Sequence, residues 1–130
     1  MPPANHDRDS APVRVAVVGV GAVGSTFAYT VLQSGLASEI VLVDIDHERA
    51  EGEAMDLNHA APFAHPTRVR VGDHADCADS AITVVTAGAA QEPGETRLDL
   101  ADRNAEIFRQ IVPDIARHDP RGVMIVTTNP

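Results

Sequence analysis

Short apolar runs rich in valine and isoleucine alternate with longer amphipathic segments along most of the chain. Runs of this length and composition predict buried strands, which lie at residues 13–19, 40–43, 68–71, 82–87 and 122–127. Apolar residues at helical spacing predict helices at residues 22–35, 47–58 and 98–117. Strands that alternate with helices indicate an α/β fold, in which a parallel sheet carries helices on both faces.

Local signals refine these predicted elements. Gly35 suits the C-cap of the first helix. Pro113 is expected to kink the third helix or to mark a new turn. Residues 61–66 and 91–96 are predicted loops, and residues 73–80 are a predicted polar turn region. Apolar faces are predicted on the second helix (Ala50, Ala54 and Leu57) and on the third (Leu100, Ile107, Ile111 and Ile115).

A glycine-rich turn joins the first predicted strand to the first predicted helix. Gly19, Gly21 and Gly24 have the spacing G-x-G-x-x-G. In this context the first glycine allows a tight turn, the second lets a pyrophosphate approach the main chain, and the third lets the helix lie close to the strand. The helix N-terminus directs free N–H groups at the anion. The turn therefore predicts a Rossmann-type dinucleotide site; the alternative is a tight turn that binds nothing.

An acidic residue, Asp44, ends the second predicted strand, 25 positions after Gly19. A carboxylate at this place can accept hydrogen bonds from both hydroxyls of an adenosine ribose, and it repels a 2′-phosphate. The cofactor expected is therefore NAD rather than NADP. The alternative is an ordinary solvated carboxylate, like that of Asp46.

Composition narrows the classes of function. The 130 residues suffice for one domain, and the net charge of −9 argues against nucleic acid or an anionic membrane surface as partner. No apolar run is long enough to span a membrane, and residues 1–12 are expected to form a disordered tail. The single cysteine, Cys77, fits a reducing, cytoplasmic compartment and a structural thiol. Cysteine and histidine spacing predicts no metal site.

The segment from Gln91 to Arg97 follows the fourth predicted strand, whose carboxyl end should border a ligand crevice. If this loop closes on a substrate, the Arg97 guanidinium can polarise a carbonyl and stabilise developing oxyanion charge. The alternative is a solvated loop in which Arg97 pairs with Glu95 or Asp99.

Three motifs resemble those of L-lactate dehydrogenases, and the resemblance extends over residues 13–130. They are residues 86–100, residues 55–60 (Met-Asp-Leu-Asn-His-Ala) and residues 127–130 (Thr-Thr-Asn-Pro). The resemblance implies NAD-dependent, reversible reduction of pyruvate to L-lactate by a cytoplasmic homo-oligomer, a tetramer. The alternatives are a malate or other 2-hydroxyacid dehydrogenase and a non-catalytic nucleotide-binding fragment.

The resemblance also implies roles for individual residues. Arg97 is the catalytic residue of this segment, polarising the pyruvate C2 carbonyl, and Gln91 reads the substrate side chain. Asn129 contacts both the substrate and the nicotinamide end of the cofactor. The remaining implied cofactor-binding residues are Gly19, Gly21, Val23, Gly24, Asp44, Gly88 and Ala89.

Gln91 separates two related substrates on physical grounds. Malate dehydrogenases are similar to this chain but have an arginine there, which pairs with a second carboxylate. A neutral glutamine leaves that carboxylate without a counter-charge, so pyruvate is expected to be preferred over oxaloacetate. Two departures from the family are Glu92, where lysine is common, and Thr127, where a small apolar residue is common. Glu92 is expected to weaken substrate attraction modestly.

The proton donor of the family is a histidine paired with an aspartate, and a second arginine grips the substrate carboxylate. None of the six histidines matches that donor, and all three family positions lie beyond the equivalent of residue 130. We therefore expect residues 13–130 to be an incomplete NAD-binding domain, truncated after its fifth strand and lacking the C-terminal catalytic domain. The 130 residues alone should have no dehydrogenase activity.

Overall fold

The computed structural model describes residues 12–118 and 120–130. The tail expected at residues 1–12 lies outside the described residues, apart from Pro12. The strands are β1 (Arg14–Val18), β2 (Glu39–Val43), β3 (Arg68–Val71), β4 (Ile82–Val85) and β5 (Val123–Val126). The α-helices are α1 (Ala22–Ser34), α2 (His47–Ala60) and α3 (Arg97–Ala116). Every predicted strand and helix is present, and no end differs from its predicted position by more than two residues.

The five strands form one parallel sheet in the order β3-β2-β1-β4-β5. In the centre, Val15 of β1 lies opposite Ile40 of β2 and Ile82 of β4. All strands point the same way, so their carboxyl ends and the loops that follow them meet at one edge. The parallel sheet predicted from the alternating pattern is confirmed.

Helices cover both faces of the sheet, as predicted. On one face, Val17 and Leu42 pack with buried side chains of α1 and α2, including Leu32 and Leu57. On the other face, Val18, Val41 and Val85 pack with Cys77 and with Ile115 of α3. The two faces use alternate residues of the same strands. This is why the strands read as continuous apolar runs.

Capping explains where two of the helices begin or end. Helix α1 ends at Gly35, whose positive φ of 68° gives the left-handed C-cap that was expected. Helix α3 begins at Arg97, because the Thr96 side chain accepts from the Asp99 amide and the Asp99 carboxylate accepts from the Thr96 amide. Pro113 lies within α3, which continues to Ala116. The new turn considered at Pro113 does not occur.

Two predicted irregular segments contain short 3₁₀-helices, Ala61–Phe63 and His74–Asp79. The second is fixed by a reciprocal cap, in which the Asp73 side chain accepts from the Ala75 and Asp76 amides and the Asp76 side chain accepts from the Asp73 amide. The description of residues 73–80 as a polar turn region was therefore incomplete. The cap gives this segment a fixed backbone.

A charged network joins the amino-terminal parts of β1 and β2 to β3. Glu39 accepts hydrogen bonds from Arg14 (2.8 Å) and Arg70 (2.5 Å), and Arg70 also donates to Asp76 (2.6 Å). Burial raises the pKa of Glu39, but the hydrogen bonds from Arg70 and Arg14 outweigh it, so its pKa is lowered overall. The hydrogen bond from Arg70 likewise lowers the pKa of Asp76. Both carboxylates are therefore stabilised in their charged form.

Strand β5 is the most exposed strand of the sheet. Val123, Ile125 and Val126 are all exposed, whereas the central residues of β1, β2 and β4 are buried. Within the described residues, none of the helices combines the length and apolar character needed to cross a bilayer.

Candidate cofactor and substrate site

A cleft of about 600 Å³ lies at the carboxyl edge of the sheet. It is bordered by the segments that follow β1, β2, β3 and β4, and by one side of α3. In open parallel sheets, this is the position where ligands bind. Four of the predicted site residues line it: Gly19, Gly21, Asp44 and Gly88.

The glycine turn is built by close backbone contacts. Gly19 has a φ of 98°, and its amide donates to the Val43 carbonyl at 2.8 Å. A Cβ on Gly24 would overlap the Gly19 carbonyl oxygen and lie 2.7 Å from Thr86 Oγ1. Thr86 Oγ1 in turn donates to the Gly19 oxygen at 2.6 Å. Gly24 is thus required for the close approach of α1 to the turn, which is the structural role that its spacing predicted.

Gly21 is different, because a Cβ there would meet no atom within 4 Å. It is the N-cap of α1, and no side chain caps that helix N-terminus. The first turn of α1 therefore presents unfilled space and N–H groups to the cleft, which suits the approach of a pyrophosphate. Val23, on the same turn, is 63% exposed.

Asp44 is held by two backbone amides. Its Oδ2 accepts from Val20 N at 2.7 Å, and its Oδ1 accepts from Asp46 N at 2.8 Å. A carboxylate has about four acceptor positions, so capacity remains for ribose hydroxyls. Arg49 of α2 lines the same cleft. The open space at Gly21 and the fixed carboxylate at Asp44 together fit a dinucleotide without a 2′-phosphate.

The loop between β4 and α3 is organised by Arg103. Its guanidinium lies 2.8 Å from Glu95 Oε1 and 3.3 Å from Glu92 Oε1. The Glu92 amide donates to Glu95 Oε2, and Gln91 Nε2 donates to the Glu95 carbonyl, both at 2.8 Å. The hydrogen bond from Arg103 lowers the pKa of Glu95. The negative charge of Glu92 therefore lies beside the Arg103 guanidinium, a partner that was not expected from the sequence.

Arg97 is the first residue of α3, and its side chain is exposed. The carboxylates considered as its partners are engaged elsewhere: Glu95 with Arg103, and Asp99 with the Thr96 hydroxyl at 2.6 Å. Among residues 12–118 and 120–130, no carboxylate lies within ion-pair distance of Arg97. The alternative in which Arg97 pairs with Glu95 or Asp99 is thus not observed. Gln91 and Arg97 both lie outside the lining of the cleft.

The segments after β4 and β5 are held together by side chains that sequence reasoning missed. Thr128 Oγ1 donates to the Ala87 carbonyl at 2.6 Å. The Ala89 amide donates to Asn104 Oδ1 at 2.8 Å, and Asn104 Nδ2 donates to the Pro130 carbonyl at 2.5 Å. Asn129 lies between Thr128 and Pro130 with its side chain exposed. The signal for Asn104 was a polar residue within the apolar stripe of α3.

A histidine–aspartate pair was also missed. His74 Nδ1 lies 2.5 Å from Asp114 Oδ2, and His74 lines the cleft beyond β3. Burial lowers the pKa of His74; the charge of Asp73 opposes this effect and that of Arg117 adds to it. Strands β3 and β4 are three inter-strand spacings apart in the sheet, or about 14 Å. This pair therefore belongs to the opposite end of the cleft from the Gln91–Arg97 loop.

Cys77 is fully buried, and burial raises the pKa of its thiol. A buried, protonated thiol suits the structural role that was expected. In the part of the chain that the structure describes, no three histidine, cysteine or acidic side chains are grouped as metal ligands.

A family model described as the NAD-binding domain of lactate/malate dehydrogenase matches residues 13–130. The chain belongs to the lactate/malate dehydrogenase family. The resemblance found in the motifs, the Rossmann-type fold and NAD as the cofactor are thereby confirmed.

Curated relatives within this family are close in sequence. A probable L-lactate dehydrogenase of Schizosaccharomyces pombe is 51% identical over 118 residues, which are 91% of this chain and 36% of that protein. An L-lactate dehydrogenase of Deinococcus radiodurans is 52% identical over 118 residues, which are 91% of this chain and 39% of that protein. The chain thus spans well under half the length of these relatives.

Solved structures show the same fold. The minor L-lactate dehydrogenase from Enterococcus mundtii, in a ligand-bound form, has a TM-score of 0.87 and 40% identity, covering 92% of this chain and 38% of that one. A lactate dehydrogenase from a Medee basin deep-sea metagenome library has a TM-score of 0.85 and 44% identity, covering 92% of this chain and 38% of that one.

Proposed function

We propose that this chain is the cofactor-binding part, with the substrate loop, of an L-lactate dehydrogenase that reversibly reduces pyruvate to L-lactate. The observation that carries the proposal is the loop after β4, which is held by the Glu95–Arg103 pair. This loop presents neutral Gln91 and leads to Arg97, which pairs with no carboxylate among residues 12–118 and 120–130. The loop follows a strand whose carboxyl end borders the cleft. The names of the similar proteins support the same reaction.

Gln91 determines the substrate class in this proposal. The Gln91 side chain is neutral and exposed. A substrate with a small uncharged group beside the keto carbon therefore loses little hydration free energy when it binds there. A second carboxylate would lose its hydration without gaining a counter-charge. Pyruvate is therefore the favoured 2-oxo acid.

Arg97 is the catalytic residue of the loop. A guanidinium with no carboxylate partner keeps its full charge available for a substrate oxygen. As the loop closes, Arg97 donates to the C2 carbonyl oxygen of pyruvate and stabilises the negative charge that develops there. A carboxylate partner would have cancelled this effect.

The cofactor-binding residues form the other part of the proposed site. Gly19, Gly21, Val23 and Gly24 surround the pyrophosphate position, and Asp44 accepts from the adenosine ribose. Gly88, Ala89 and Asn129 lie on the segments toward the nicotinamide end. When bound, NADH supplies the hydride for the reduction. The residues of this chain bind and orient it.

Proton donation is assigned by the resemblance to a histidine–aspartate pair that no histidine of this chain matches. The His74–Asp114 pair lies beyond β3, at the adenosine end of the cleft. We therefore expect residues 1–130 alone to bind NADH and to reduce no pyruvate. The working protein is proposed to be a cytoplasmic homo-oligomer, a tetramer by family resemblance.

The test is a comparison of pyruvate and oxaloacetate as substrates for the full-length gene product, with NADH at saturation. We expect a higher kcat/KM for pyruvate, and Gln91→Arg should shift the ratio toward oxaloacetate by at least tenfold. Gln91→Leu is the matched control, because it changes the side chain without adding a counter-charge. A wild-type preference for oxaloacetate would contradict the role of Gln91 and favour a malate dehydrogenase.

A further inference from the structure

Asn104 is a polar residue in an apolar place. It lies on the face of α3 that also carries Leu100 and Ile115, and its exposed fraction is 4%. An amide buried at such a position is unfavourable unless its donor and acceptor are both satisfied. The reason for an asparagine here must therefore lie in its hydrogen bonds.

Both ends of the Asn104 amide are used, and by different segments. Oδ1 accepts from the Ala89 amide in the segment after β4, and Nδ2 donates to the Pro130 carbonyl in the segment after β5. An acceptor at one end and a donor at the other fix the orientation of the amide group. Asn104 thus joins the two segments at a defined separation.

These two segments carry different halves of the proposed site. Gly88 and Ala89 are proposed to line the cofactor path, and Asn129 is proposed to contact both the substrate and the nicotinamide end. The packing here is tight, since a Cβ on Gly88 would lie 2.9 Å from Thr128 Cγ2 and 3.3 Å from Asn104 Oδ1. A small change in the Asn104 side chain would therefore be transmitted to both segments.

We infer that Asn104 is a positioning residue, which aligns the cofactor-side backbone of Gly88 and Ala89 with the substrate-side segment of Asn129. This inference rests on the proposed function for the reaction that the alignment serves. Hydride transfer requires the donor and acceptor carbons to be held at a near-attack distance, and a misplacement of about 1 Å can cost about a hundredfold in rate. Loss of alignment therefore lowers kcat more than it lowers binding.

Two substitutions test the inference in the full-length gene product. Asn104→Asp keeps the acceptor for Ala89 and removes the donor to Pro130, and Asn104→Ala removes both. The matched control is Thr67→Val, because Thr67 is 6% exposed and donates a 2.9 Å hydrogen bond to the Ala37 carbonyl, at the edge of the sheet away from the cleft. The control loses a buried hydrogen bond without touching the site.

The measured quantity is kcat for pyruvate per NADH-binding site, which removes the effect of a smaller folded fraction. We expect kcat of both Asn104 variants to be at least fivefold lower than kcat of Thr67→Val. If kcat of Asn104→Asp falls less than fivefold below that of Thr67→Val, the positioning role is overturned. If Asn104→Ala does not fold, the kcat of Asn104→Asp is the deciding measurement.

A wild-type protein that reduces no 2-oxo acid would defeat the proposed function by itself. Asn104 is then judged on NADH affinity in the same variants, measured by fluorescence titration. A dissociation constant at least threefold above that of Thr67→Val supports the positioning role, and a smaller difference overturns it.

Discussion

Gly21 and Gly24 belong to one motif, yet the structure predicts opposite outcomes when each is replaced by alanine. At Gly24 the added Cβ would overlap the Gly19 carbonyl oxygen and press on Thr86 Oγ1. At Gly21 it would enter open space beside the cleft. Gly24→Ala should therefore damage the fold, and Gly21→Ala should damage cofactor binding.

The magnitudes follow from the local contacts. Overpacking costs about 1–3 kcal/mol, and Gly24→Ala belongs at the upper end because a backbone carbonyl, unlike a flexible side chain, moves little. Alanine gains about 1 kcal/mol over glycine inside a helix, so the net loss is about 2 kcal/mol. At Gly21, the weaker N-cap of alanine and its smaller unfolded-state entropy nearly cancel, leaving a change within about 0.5 kcal/mol.

The assay is urea unfolding of both variants without cofactor, followed by titration with NADH. We expect Gly24→Ala to lose about 2 kcal/mol of unfolding free energy. The unfolding free energy of Gly21→Ala should stay close to that of the wild type. Gly21→Ala should bind NADH at least tenfold more weakly, about 1.4 kcal/mol, because its methyl group would enter the space proposed for the pyrophosphate. Wild-type NADH affinity in Gly21→Ala, or wild-type stability in Gly24→Ala, would refute this division of roles.

Three further substitutions separate stability from cofactor choice. Gly52→Ala should raise the unfolding free energy by about 0.5–1 kcal/mol, because this exposed position in α2 has no atom near the new Cβ; unchanged urea unfolding would contradict it. Asp44→Ser should lower the NADH-to-NADPH affinity ratio at least tenfold in binding titrations, since the repelling carboxylate is lost and Arg49 lines the same cleft; a constant ratio would show that Asp44 does not discriminate. The lowered pKa of Glu39 means that the unfolded chain takes up this proton first, so its stabilising contribution is lost as pH falls below about 4.5. Glu39→Gln should therefore show a shallower decline of unfolding free energy between about pH 5 and 3, and a slope equal to wild type would argue against the Glu39–Arg70 pair as its source.

Much of the fold could be predicted because it depends on local sequence. The valine-rich runs are buried on alternate faces of one sheet, and Ala50, Ala54 and Leu57 are all buried on α2 as their spacing indicated. The glycine turn was identifiable because close approach excludes every other side chain at Gly24. The family was identifiable from the residues of the loop before α3.

The contacts that were missed depend on residues far apart in the chain. His74 meets Asp114 across 40 positions, and Asn104 meets Pro130 across 26. Neither spacing has a periodic signature, because the fold and not the local backbone brings these side chains together. Arg103 was missed for a related reason: a charge on the exposed side of a helix is compatible with many partners, and only the path of the loop selects Glu92 and Glu95.

The central place of β1 in the sheet has a consequence for the order of folding. Its partner on one side, β2, follows it closely in the chain, whereas its partner on the other side, β4, comes after α2 and β3. During synthesis, β1, β2 and β3 can pair while one edge of β1 still has unpaired backbone groups. The side of the cleft that carries Asp44 is thus assembled first, and the open edge of β1 is a point of aggregation risk until β4 adds to it.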